Sequence, residues 1–101
     1  MQTNTSIKDG KAVVALTGRF DFNAHRDFRS AYEPFMDSPE ARSITIDLRS
    51  VEYLDSSALG MLLMLRDKAA SAKKDLFLAN AQAGVKQVLD IANFGKLFQI
   101  V

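Results

Sequence analysis

The chain of 101 residues has no cysteine, no tryptophan and a single histidine, His25. Without thiols, neither a disulfide framework nor a thiolate metal site can form, and one imidazole falls short of the usual zinc ligand sets. No metal and no cofactor are expected. A dominant charge is missing too: 13 basic side chains against 12 acidic ones leave a net charge of +1, and the cations are scattered. Nucleic-acid binding through a clustered basic face therefore has no footing. The longest unbroken apolar run, Met61 to Leu65, is far short of the ~20 residues that span a bilayer. The start, MQTNTSIKDGK, lacks the apolar core of a signal peptide, so a cytoplasmic domain with no membrane contact is expected.

Catalytic signatures are equally sparse. There is no glycine-rich phosphate loop and no serine in a G-x-S-x-G elbow. A serine nucleophile needs a base and a group to orient it, and His25, near the start of a helix, reads as a surface or capping residue. The chain is not expected to be an enzyme.

What is present is ordinary globular composition, 48% hydrophobic and 25% charged, enough for one domain over residues 1–101. Ala12 to Thr17 reads as a strand, and Thr3 to Ile7 pairs with it across the Asp9-Gly10 turn signal. Asn23 is a candidate N-cap ahead of Ala24, Phe28, Ala31, Tyr32 and Phe35, which share one helical face. Pro34 should end or bend that helix, and Ser38-Pro39 suits a short turn. Ser43 to Leu48 alternates as a strand, Ser57 to Ala72 is helical, and Leu76 to Ala79 is a short strand. Ala83 to Ala92 is a third helix and Leu97 to Val101 a last strand. This alternation implies an α/β layer structure with a partly parallel sheet.

The stretch "VEYLDSSALGMLLML", residues 51–65, is the most informative. At 100° per residue, the charged second half of its helix turns Leu65, Ala69 and Ala72 inward. Projected back, the same stripe contains Ala58, Met61 and Leu62. Gly60, Leu63 and Met64 then fall on the outer face, with Leu59 on a flank. Either a neighbouring element covers this apolar excess or it docks a partner. Gly60 costs about 1 kcal/mol relative to alanine in a helix, and one use of it is close approach by another backbone. Asp55, Ser56 and Ser57 sit at the helix start, where they cap free N–H groups, or where a serine accepts a phosphate favoured by the helix N-terminus.

Three segments carry a family resemblance: "LTGRFD" (16–21), "ITIDLRSVEYLDSSALGMLL" (44–63) and "VLDIANFGKLFQI" (88–100). They resemble bacterial anti-sigma factor antagonists of the STAS family. The resemblance implies a single STAS-type domain, with a mixed sheet of four to five strands and about three main helices. It implies a partner-switching phosphoprotein of signal transduction and transcription regulation. Such a protein binds an anti-sigma factor or HATPase-type serine kinase while unphosphorylated, is switched off by phosphorylation, and is restored by a PP2C-like phosphatase. The hydroxyl residue directly after the motif aspartate is the one phosphorylated in the family, which here is Ser56. Asp55, Ser57 and Asp21 become its neighbours, and Leu59, Gly60, Leu63 and Met64 the partner interface. Phe20 stands where the family usually has leucine, and Ala58 where it usually has glycine. "GRFDFNAHRDFRSAYE" (18–33) also resembles members that govern biofilm and flagellar pathways. A constitutive STAS scaffold, of the kind found in lipid transporters, is the alternative and needs no switchable serine.

Overall fold

The computed structural model describes residues 1–101. Strands β1 (Gln2–Lys8) and β2 (Lys11–Phe20) open the chain, followed by helix α1 (His25–Met36) and strand β3 (Ser43–Leu54). Helix α2 (Ser56–Ser71), strand β4 (Asp75–Ala79), helix α3 (Ala83–Ile91) and strand β5 (Gln99–Ile100) complete it. The five strands lie in the order β1-β2-β3-β4-β5, antiparallel between the first two and parallel thereafter. This is the mixed α/β sheet with three main helices implied by the alternation of patterns. The β1–β2 hairpin turns on Asp9 and Gly10, both at positive φ (53° and 82°), the geometry of a two-residue type I′ turn.

From β2 onward each strand is the parallel neighbour of the one before, so right-handed crossovers return every helix to the same face of the sheet. The burial pattern agrees. Ala12, Val14 and Leu16 on β2, Ile44, Ile46 and Leu48 on β3, and Leu76 and Leu78 on β4 are all buried and share the helix-side face. Val13, Ala15, Thr45 and Phe77 point to the other face and stay partly exposed. On the covered face, Phe20, Phe28 and Tyr32 form an aromatic ladder with centroid spacings of 4.9 and 5.1 Å, anchoring α1 to the end of β2. Ala58, Met61, Leu62, Leu65 and Ala69 are the buried positions of α2.

Several boundaries differ from the sequence reading, each for a physical reason. β3 runs to Leu54 rather than Leu48, because two register shifts against β2, at Ala15/Thr17 and Gly18/Arg19, keep it paired beyond the alternating segment. Gly18, at φ 104°, supplies the backbone freedom at the second shift. The last strand is two residues long, not five. Asn93 is left-handed (φ 59°) and a 3-10 turn at Phe94–Lys96 buries Phe94 and Phe98, their rings stacked at 5.0 Å. Pro34 is housed inside α1, which ends two residues later at Met36. Asn23 is not a helix cap: Asp21 caps a 3-10 turn at Phe22–Ala24, and Ala24 stands at the N-cap of α1 without a side-chain bond. Ala72, expected inward, is half-buried just past the end of α2.

Candidate functional site

β2 and β3 end side by side, with Phe20 opposite Leu54 in the register. Both side chains are buried, so the two strand ends are pinned by the core. The next residue on each strand is an aspartate in extended conformation, Asp21 at φ −128° and Asp55 at φ −112°. Asp55 N–H donates to the Phe20 carbonyl at 3.3 Å, which holds the two junctions together. Asp55 Oδ1 accepts from the Ala58 N–H at 3.0 Å, the bond of an N-cap aspartate. Asp21 Oδ1 accepts from the Asn23 N–H at 3.0 Å and caps the shorter 3-10 turn in the same manner.

The cap of α2 is therefore Asp55, and the role is not shared by the serines. Ser56 is the first residue of the helix and exposed, whereas Ser57, next to it, is half-buried. The sequence left two uses open for this trio of residues. The geometry divides them, giving the aspartate to the backbone and leaving the Ser56 hydroxyl in solvent at the positive end of a 16-residue helix.

Beyond the serines lie the three residues projected outward, Gly60, Leu63 and Met64, and Leu59 on their flank. Gly60 and Met64 are exposed, Met64 at 47%. Leu59 and Leu63 are half-buried and pack against the core cluster. A Cβ built on Gly60 would meet nothing within 4 Å, so no contact inside this chain requires a glycine there. Between α1 and α2, the cleft lined by His25, Phe28, Arg29, Tyr32, Met61 and Met64 encloses only about 10 Å³. That is far below a small-molecule pocket, so recognition here is a matter of surface rather than cavity. No three His, Cys, Asp or Glu side chains converge to form a metal site.

The comparisons with known proteins bear on this arrangement. Residues 3–101 match the family described as "Mlab, STAS domain". A STAS-domain containing protein of Pseudomonas aeruginosa is 50% identical over 93 residues, covering 91% of this chain and 90% of the relative. The chain belongs to the STAS domain family. Among solved structures, an anti-sigma factor antagonist from Mycobacterium paratuberculosis superposes with a TM-score of 0.85 at 24% identity, over 98% of this chain and 83% of the other. The Bacillus protein SpoIIAA, an anti-sigma factor antagonist in its unphosphorylated form, gives 0.81 at 17%, over 99% and 88%. At these identities the likeness establishes the fold.

Three side chains of this STAS domain were missed in the sequence. Arg19 lies over the Tyr53 ring, 4.1 Å from its centroid, and its Nε is 3.6 Å from Asp21 Oδ2. The Arg19–Tyr53 pairing across β2 and β3 could have been anticipated only with the shifted register in hand. Phe22 is 73% exposed, next to Asp21. Its signal was the two phenylalanines flanking Asp21: Phe20 completes the strand and is buried, and Phe22, the first residue of the turn that Asp21 caps, lies outside the same core.

Proposed function

We propose that this STAS domain is an anti-sigma factor antagonist working by partner switching in the cytoplasm. Unmodified, it binds an anti-sigma factor or HATPase-type serine kinase through the surface around Ser56, with Asp21, Asp55 and Ser57 beside it and Gly60, Met64 and the edges of Leu59 and Leu63 along α2. The kinase phosphorylates Ser56, and a PP2C-like phosphatase reverses the step. The single observation that carries this reading is an exposed serine at the first position of α2 whose capping duty is already discharged by Asp55.

The physics of the switch is local. A phosphate on Ser56 adds a charge of roughly −1.5 to −2 at a helix N-terminus, which tolerates it. The same charge lies one residue from Asp55 and faces any partner that desolvates the site. The fold survives while docking is weakened. Wild type, Ser56→Ala and Ser56→Asp should be titrated by calorimetry against the cognate kinase. Ser56→Ala should bind like wild type and Ser56→Asp at least about tenfold more weakly, ~1.4 kcal/mol. Equal affinity for the two variants would sink the electrostatic switch.

A second reading is a constitutive STAS subunit of a lipid-transport type of assembly, which the match to a STAS family over residues 3–101 fits as well. Mass spectrometry of protein from its native host separates the two. Phosphate on Ser56 supports the switch, and a wholly unmodified Ser56 across growth conditions supports the constitutive subunit. The resemblance of residues 18–33 to biofilm- and flagellum-linked members supports an output in those pathways.

A further inference from the structure

The two edges of the sheet are defended very differently. β5 is two residues long, and so short an edge offers little to pair with. β1 is seven residues long, all seven are exposed, and its register with β2 is unbroken by any bulge. Edge strands are normally blunted by charge, proline or a bulge. Gln2 to Ile7 have none of these, and the only charge on the strand is Lys8 at its end.

The hairpin fixes which backbone groups face outward. A two-residue type I′ turn is closed by a hydrogen-bonded pair, here Lys8 and Lys11, and bonded and non-bonded pairs alternate from there. Ser6, Asn4 and Gln2 therefore bond to β2, whereas Ile7, Thr5 and Thr3 turn their N–H and C=O groups to the free edge.

We propose that β1 pairs antiparallel with β1 of a second copy of this chain, about a two-fold axis at Thr5. In that register Thr5 faces Thr5 and Thr3 faces Ile7 of the other copy, so all three outward residues of each strand are paired. Sliding one strand by a single residue sets outward groups against inward ones, and moving the axis to Asn4 or Ser6 leaves one outward residue of each strand, Ile7 or Thr3, without a strand partner. The charges suit the same alignment. Each Lys8 lies opposite Gln2, at opposite ends of the ladder, so the two ammonium groups stay apart. On the helix side, Ile7, 40% exposed in the single chain, gains cover from the opposing Thr3. The pairing uses the free edge of β1 and none of the residues of the Ser56 junction, and it stands or falls independently of the proposed switch.

Sedimentation velocity on the full chain, from about 1 to about 500 µM, tests it. Wild type should show a concentration-dependent dimer. Thr5→Lys and Thr5→Glu each place like charges directly opposite at the axis and should each weaken the dimer at least about tenfold, while far-UV circular dichroism stays unchanged. Mixed in equal amounts, the two variants should form a heterodimer. Thr5→Pro, which removes an outward N–H without touching the ladder to β2, should also be monomeric. A wild type monomeric throughout the range overturns the proposal, as does a dimer that survives Thr5→Lys or a mixture that fails to associate.

Discussion

The junctions at the ends of β2 and β3 start alike and finish differently. Each follows a buried residue, Phe20 or Leu54, with an extended aspartate whose side chain accepts a backbone N–H. After Asp55 the chain enters α2 at once, and the first exposed group is a hydroxyl. After Asp21 it makes a 3-10 turn before α1, and the first exposed group is the Phe22 ring. The capping residue is the same, so what each junction presents is decided by the residues that follow it. One sheet end thereby carries an exposed aromatic ring after one strand and an exposed serine after the other.

The comparison is broken most severely from below. Phe20→Ala removes a fully buried ring from the ladder to Phe28 and should cost about 3–5 kcal/mol in urea unfolding. Leu54→Ala, under the second junction, should cost about 2–5 kcal/mol. If Leu54→Ala proves the more damaging, the aromatic ladder is not the stronger anchor of this end of the sheet.

Removing the caps sharpens the contrast. Asp55→Ala deprives a 16-residue helix of its side-chain cap and should cost about 1–2 kcal/mol. Asp21→Ala frees only a three-residue 3-10 turn and an exposed ion pair with Arg19, and about 0.5–1 kcal/mol is expected. Equal losses by chemical denaturation would mean that the two caps do the same structural work despite the different elements they start.

Much of this was legible because the core obeys simple periods. The alternation in Ser43 to Leu48 buries Ile44, Ile46 and Leu48; Ala24, Phe28, Ala31 and Tyr32 are buried with Phe35 half-buried at the end of their face; and Ala58, Met61, Leu62, Leu65 and Ala69 are buried with Ala72 half-buried past the end of α2. What failed was whatever depends on a neighbour. The second half of β3 does not alternate, since "LRSVEYL" buries Leu48, Val51 and Leu54 at intervals of three, and only its partner strand with two register shifts makes it a strand. Asn23 matched the cap preference as well as Asp21, and choosing between them needed the strand end. Of the outward set on α2, Gly60 and Met64 are exposed and Leu63 is half-buried, as is Leu59 on the flank. Leu59 and Leu63 are drawn partly under neighbouring elements that a single-helix projection does not contain.

The exposed groups at the two junctions should matter little for stability. Phe22→Ser and Ser56→Ala are expected within about 0.5 kcal/mol of wild type by urea unfolding, since neither side chain is packed in the core. A larger loss at Phe22 would make it a structural part of its turn rather than a group presented to solvent.

The smallest effect lies in the helix that follows the first junction. On α1, Arg29 Nε donates to Glu33 Oε2 at 2.8 Å, an i,i+4 pair for which α2 has no counterpart. The hydrogen bond from Arg29, followed by its charge, holds the Glu33 carboxyl below the ordinary glutamate range. A carboxyl depressed in the folded state stabilises it above the unfolded value and loses that contribution as pH falls through the folded one. The melting temperatures of wild type and Glu33→Gln should thus differ slightly near neutrality and converge on acidification below the usual glutamate range. Both side chains are exposed at the surface, so added salt should shrink the difference as well. A gap that widened in acid would reverse the sign and remove the pair from the account of α1.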